Sequence, residues 1–179
     1  MADKGWGGLR TRTLAERAGV NKALVHYYFG SMDNLRFETA ALVLDTTANE
    51  AAIAVMEAST LAEGIQRFCT LLDAFEPEDP SSVVLMETMI LAPREPRLAE
   101  MMRRVLDAYE LALVSRIQAD AESGGLPPTT DAAGLATALA ALLDGLALHA
   151  YMRPGIDFTP VGKAIAALLE PSPPTKRKN

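Results

Sequence analysis

Apolar residues recur at helical spacing along almost the whole chain, and no stretch alternates as a half-buried strand does. The pattern predicts an all-α fold. Near the start it predicts two short helices around Gly19. Residues 13–18 set Leu14 among the good helix formers Ala15, Glu16, Arg17 and Ala18. Gly19 stands where helices often end in a left-handed residue, and Val20 can tuck into the turn. Asn21 suits an N-cap for a second helix over 22–29. Val25 and Phe29, four apart, share a face that can reach the core, and Ala15 is small where two helices must cross. Ser31 or Asp33 can start a long helix to about residue 58, with Leu35, Ala41, Leu42, Val55 and Met56 among its apolar positions.

Further helices are expected over 61–75, then over an apolar run through Val83, Leu85 and Met89 that ends near Pro93, then over 96–122. The last of these carries the stripe Met102, Val105, Leu106, Tyr109, Leu113 and Ile117, as an amphipathic helix requires. Ser123-Gly124-Gly125-Leu126-Pro127-Pro128 is a break. Thr130 or Asp131 can cap a helix over 132–152, and Thr159 a last one over 160–169. Residues 171–179 form a Pro-rich, basic tail with the composition of a disordered segment.

The helix over 132–152 is long enough to cross a bilayer. It is dominated by Ala, Gly and Thr, however, and Asp144 falls near its middle, where an acid costs roughly 2.5–3.5 kcal/mol on insertion. It reads instead as a helix buried on nearly all sides, needing more partner surface than one chain provides. No membrane partner is expected.

A composition of 49% hydrophobic and 22% charged residues excludes a disordered chain. The single cysteine, Cys69, excludes an internal disulfide and a cysteine-rich zinc site, and reads as a small buried hydrophobe. Two histidines without an acidic cluster at ligand spacing give no metal site. No cofactor is implied. No nucleophile triad or phosphate loop is present, so an enzyme is not expected; Glu87 and Asp107 read as solvated helix faces. No secretion leader is visible, so cytoplasmic residence is the default. The net charge of −6 divides unevenly. Residues 1–36 hold six cations against three anions, or +3, and the rest eleven against twenty, or −9. A basic head on an acidic body suits a protein whose head alone approaches phosphate.

The second short helix gathers Lys22, Ala23, His26 and Tyr27 on one face: a cation, a small residue for close approach and two aromatic rings with polar tips. That is a surface for a major groove, although a plain helical hairpin with packing tyrosines has the same outline. The run Tyr27-Tyr28-Phe29-Gly30-Ser31 adds to it. Here the chain resembles the TetR family of bacterial transcription regulators. Gly5-Trp6, Arg12, Leu14-Ala15-Glu16-Arg17-Ala18-Gly19-Val20, Lys22, Tyr28-Phe29, Ser31 and Leu35 sit where the family pattern has such residues, over about the first fifth of the chain. Three departures accompany the match. The family's first helix would precede Gly5-Trp6, where the chain offers Met1 to Lys4, which implies a start upstream. Arg10 occupies the usual hydroxyl cap position, though Thr11 or Thr13 could cap a shorter helix. Gly30-Ser31-Met32 replaces a Pro-Ser-Lys turn.

The resemblance implies a helix-turn-helix head over 1–36, followed by a helical ligand-binding and dimerisation body over 37–170. The function expected is a ligand-responsive regulator, a repressor, that holds double-stranded operator DNA as a homodimer. The alternative is a helical ligand-binding or interaction protein that has lost DNA binding. Arg10, Arg12, Lys22 and Tyr28 would mainly hold phosphates, and Ala23, His26 and Tyr27 would face bases. The last two helices would pair with those of a second subunit. Leu135, Leu139, Leu142, Leu146, Ile165 and Leu168 would be divided between core and dimer contact, with Gly134, Ala138, Ala141 and Gly145 permitting close approach. A small-molecule effector, taken to be apolar, would be lined by Met56, Phe68, Cys69, Leu72, Met86, Met89, Ile90, Met102, Tyr109 and His149. Each of these could equally be ordinary core, and His149 could simply face solvent.

Overall fold

The structure of the chain, a computed structural model, describes residues 10–169. Gly5-Trp6 and the 171–179 tail lie outside the described residues, as do Met1 to Lys4. Among the described residues are eight α-helices, one short 3-10 turn and no strand. The helices are α1 (Thr11–Ala18), α2 (Lys22–Phe29), α3 (Met32–Met56), α4 (Leu61–Asp73), α5 (Pro80–Leu91), α6 (Pro96–Glu122), α7 (Ala132–Met152) and α8 (Thr159–Leu169). The turn Ala92–Arg94 links α5 to α6. Of the described residues, 10–48 and 76–105 form one compact unit, and 49–75 and 106–169 form another.

The first unit holds the two short helices. Gly19 ends α1 at φ 64° and ψ 25°, a left-handed conformation that glycine adopts without a Cβ penalty. Its neighbour's N–H is satisfied at once, Val20 N donating to Ala15 O at 3.0 Å. The Asn21 side chain accepts from Ala23 N at 2.9 Å and caps α2. Ser31 Oγ accepts from Asn34 N at 3.0 Å at the start of α3. A small core of Ala40, Ala92 and Leu98, flanked by Phe37, Leu91 and Met101, joins α3 to the segment around Pro96. Arg97 reinforces that join. Its guanidinium lies 4.0 Å from the centre of the Phe37 ring and donates to Asn34 Oδ1 at 3.2 Å.

The second unit has a larger core, built from α4, α7, α8 and the 106–122 part of α6, with Leu61, Ile65, Leu113, Ile117 and Leu143 all but sealed from solvent. α8 runs against α4 at close range. A Cβ on Gly162 would stand 3.0 Å from Cys69 Cβ, and one on Gly64 would stand 3.0 Å from Val55 Cα. Two carboxylates tie distant segments together. Asp120, 3% exposed, accepts from Leu61 N at 2.6 Å and pairs with Arg116, whose other nitrogen donates to Ala58 O at 3.1 Å. Asp73 accepts from Phe158 N at 2.6 Å and from Thr159 Oγ1 at 2.9 Å. At the start of α4, Thr60 Oγ1 accepts from Glu63 N while Glu63 reaches back to Ser59 N, a capping box shifted by one residue. The Ser59 N–H, then Arg67, holds the Glu63 carboxyl below its ordinary range.

Several local expectations are corrected. α1 starts at Thr11 with Arg10 as its N-cap and no side-chain cap bond, so neither threonine caps. α3 ends at Met56. Leu42 is 68% exposed and Met56 42% exposed, while the inward positions are Leu35, Ala40, Leu44, Ala54 and Val55. Leu35 and Val55 thus face inward as the apolar pattern predicts, while Leu42 and Met56 do not. Thr159 is the first residue of α8; its N–H is held by Asp157 Oδ1 at 2.9 Å and its hydroxyl is drawn to Asp73 instead of capping. Glu87 is only part-exposed, and its Oε2 is buried without a hydrogen-bond partner, because α5 turns that side inward.

Candidate nucleic-acid interface and effector region

α2 separates its residues sharply. Val25 is buried and Phe29 half-buried, which fixes the inner side. Lys22, Ala23, His26, Tyr27 and Tyr28 are all exposed. Tyr27 and Tyr28 stand 80% and 71% exposed. Their rings meet edge to face, 5.2 Å between centroids at 84°, which stiffens the end of the helix. Gly30 stops the helix, its N–H donating to His26 O at 2.9 Å. Arg10 and Arg12 are exposed at the start of α1. Arg12 already donates to Glu16 Oε1 at 2.8 Å on its own helix. An exposed pair of this kind is worth little and can be exchanged for a phosphate. Chemically the surface offers cations and ring hydroxyls at its margins, with small and aromatic groups between them. Leu24, 44% exposed, was missed because the sequence does not say which way an apolar residue beside buried Val25 turns.

The expected effector residues are distributed over both compact units. Phe68, Cys69, Leu72 and Tyr109 belong to the core of the second unit. Met86, Met89, Ile90 and Met102 lie in the first, Met86 buried, Met89 and Met102 half-buried and Ile90 exposed. Met56 and His149 are exposed. Burial, then the charge of Asp73, pushes the Cys69 thiol up to about 11, so it is protonated and inert at neutral pH. Tyr109 is 8% exposed and its hydroxyl is buried without a hydrogen-bond partner. Burial, then the charge of Asp144, raises its phenol well above the ordinary range. Asp144 is itself half-buried on α7, and loss of hydration raises its carboxyl. The charge of a part-dehydrated carboxylate thus acts on an unpaired phenol in this core, and a set chosen for apolar character could not include both of its members.

The first unit also carries an open groove of about 820 Å³ along α3 and the start of α6. Phe37, Ala41, Leu42, Met101 and Val105 line it, with Glu38, Asp45, Glu100, Arg97 and Arg104 at its edges. None of the ten expected effector residues is in its lining.

The α7 and α8 leucines divide by side. Leu139 is buried. Leu135, Leu146 and Ile165 are half-buried against the same core. Leu142 is 40% exposed and Leu168 85% exposed, and Leu148, which sequence reasoning did not single out, is 45% exposed. Gly134, Ala138 and Ala141 share the open side of α7, and nothing lies within 4 Å of a Cβ placed on Gly145. The helix is long and apolar enough to cross a membrane by length and composition; within the chain it buries one side, through Ala136, Leu139, Ala140, Leu143 and Ala150, not nearly all sides as expected, with 22% of its most apolar window buried.

Known proteins share these features. Residues 1–39 match the family described as bacterial regulatory proteins, tetR family, and residues 61–170 match the BetI-type transcriptional repressor C-terminal family. The chain is 33% identical over 159 residues to the HTH-type transcriptional regulator BetI of Agrobacterium fabrum, covering 87% of this chain and 71% of that protein. It is 29% identical to BetI of Rhizobium meliloti, covering 95% and 80%. Its fold is similar to that of a transcriptional regulator from Saccharomonospora viridis solved in complex with choline, with a TM-score of 0.72 at 19% identity, covering 93% and 86%.

Proposed function

The chain belongs to the tetR family of bacterial regulatory proteins, with a BetI-type C-terminal region, and we propose that it represses transcription by holding operator DNA as a homodimer until a small molecule binds. It is a transcriptional regulator, not an enzyme. Regulators of this family act on DNA, and we place this one with the genome in the cytoplasm. Residues 1–36 read the duplex in this proposal, and residues 37–170 bind effector and partner subunit.

The observation that carries the reading is the outer side of α2. Five residues, Lys22, Ala23, His26, Tyr27 and Tyr28, are exposed around a buried Val25 on a helix capped by Asn21, with Ala23 and Tyr27 farthest from it. Lys22 and Tyr28 suit phosphates, with Arg10 and Arg12 beside them; Ala23, His26 and Tyr27 suit base edges. Each subunit of a dimer would present one such helix to successive major grooves, roughly 34–36 Å apart.

Leu142, Leu148 and Leu168, with the small Ala138 and Ala141, support a partner face on α7 and α8. For the effector, the Phe68, Cys69, Leu72 and Tyr109 cluster supports an apolar body, and Asp144 supports a positive end. The Saccharomonospora viridis regulator's complex with choline fits that chemistry. An effector moves the equilibrium only by its differential affinity for the two postures. α3 begins three residues after α2 ends, so a change in its tilt would carry the reading helix with it.

The test is a gel-shift titration of the full chain on the duplex upstream of its own gene across a salt series. Binding should weaken with salt. Lys22→Ala should lower affinity on all sequences and reduce the log–log slope by about 0.9 for each phosphate it ceases to neutralise. Unchanged affinity and slope would remove α2 from the interface. No binding at any salt would favour the alternative, a helical effector-binding protein without a DNA target, in line with Met32 where the family turn carries lysine.

A further inference from the structure

One large side chain on the outer side of α2 has no part in the reading above. At about 100° per residue, buried Val25 and half-buried Phe29 set the inner direction of the helix. Tyr27 then lies opposite it, with Ala23 about 40° to one side and Leu24 about 60° to the other. Leu24 is thus nearer the middle of the outer arc than Lys22, His26 or Tyr28. It is 44% exposed in the first turn of the helix, the part that meets base edges when such a helix enters a major groove. Single exposed leucines are ordinary elsewhere on a surface. Here the surroundings are a cationic segment and a set of polar-tipped side chains, and Leu24 alone has four apolar carbons and no polar atom.

The major-groove edges of the four base pairs carry one apolar group, the C5-methyl of thymine. We infer that Leu24 is a specificity-determining residue that packs on a thymine methyl in each half of the operator. The inference rests on the docking proposed above. Leu24 and Ala23 offer apolar carbons on either side of Tyr27 for one methyl to pack on, whereas cytosine carries only hydrogen at C5 and would leave them to water.

The experiment starts with duplexes recovered from a random-sequence pool by the full chain. Each thymine of the recovered site is then replaced singly by deoxyuracil, which removes the methyl and keeps the pairing edge. For the wild-type chain, one position in each half-site should show affinity lower by about fourfold, the factor for one buried carbon unit. Leu24→Ala should bind the thymine duplex more weakly and lose that sensitivity, whereas Leu24→Met, which keeps the reach, should retain it. Far-UV circular dichroism checks that both variants are folded. Uracil tolerated at every position overturns the inference, as does sensitivity that survives in folded Leu24→Ala. A chain that recovers no duplex overturns the docking proposal itself, and this inference with it.

Discussion

Asp144 carries its charge at a cost. It lies half-buried on α7, and loss of hydration is the cause that raises its carboxyl. A carboxyl raised on folding binds its proton more tightly in the folded state than in the unfolded one. The associated stability is present below the ordinary carboxylate pKa of about 3.9 and is lost as pH rises through the folded value. At neutral pH the ionised group therefore opposes folding. Asp144→Asn should raise the melting temperature at pH 7 by about 2 °C, a gain that shrinks toward pH 4. Thermal denaturation at the two pH values checks this; a lower melting temperature at pH 7 would show that the charge has a partner in solution. If the effector's positive end meets this carboxylate, the same variant should also lose most of its thermal shift with choline while keeping the lower shift given by an uncharged analogue of equal size. An acid in an apolar helix was plain from the sequence. Its neighbour Tyr109 was not, because that residue is thirty-five positions away and only packing pairs them.

The helices themselves were largely legible. Pro and Gly breaks fix both ends of α6 and α7, and Gly19 and Asn21 fix the turn between α1 and α2, because those signals act within four residues. What stayed hidden were the elements' long-range ties. The first N–H of α4, on Leu61, donates to Asp120 Oδ2, fifty-nine residues on, and that carboxylate is shared with half-buried Arg116. Asp120→Ala should cost about 2–4 kcal/mol, since it leaves a largely enclosed guanidinium without its counter-charge and the Leu61 N–H without an acceptor. Urea denaturation followed by circular dichroism reads the loss; a change under about 1 kcal/mol would mean that water replaces the carboxylate without penalty. Gly134 and Gly145 on α7 are the expected sites of close approach to a partner helix. Within the chain, close approach falls at Gly162 and, most tightly against backbone, at Gly64. Its added Cβ would meet Val55 backbone atoms at 3.0 and 3.2 Å, and backbone cannot turn aside as a side chain can. Gly64→Ala should therefore destabilise by about 1–3 kcal/mol in the same assay despite alanine's higher helix propensity. A stabilised variant would show that the helices separate freely.

For the whole molecule, the deciding question is what the open side of α7 and α8 is for. Helical spacing marked Leu139 and Leu142 alike, and only the packing shows that the first turns inward and the second outward. Leu142 and Leu148 on α7 and Leu168 on α8 are exposed, as are the small Ala138 and Ala141, a mix of large and small residues that a second copy could interleave. Charge would give the proposed dimer a further role. Beyond residue 36 each chain carries −9, so the body is repelled by phosphate and a single +3 head has little to hold it on a duplex. Two heads linked through a shared body bind with the second contact made intramolecular, which multiplies affinity without any new chemistry. Leu142→Glu combined with Leu168→Glu should therefore raise the dimer dissociation constant at least about a hundredfold, because apolar burial is forfeited and acids are set against acids. Sedimentation should show monomer at micromolar concentration, and operator affinity should fall with it. Helix content should be retained, because both positions are exposed in the single chain. Lys22→Ala supplies the contrast, losing DNA while remaining paired. A double-glutamate chain that still sediments as a dimer would move the partner face elsewhere on the body and free the α7–α8 stripe for another role.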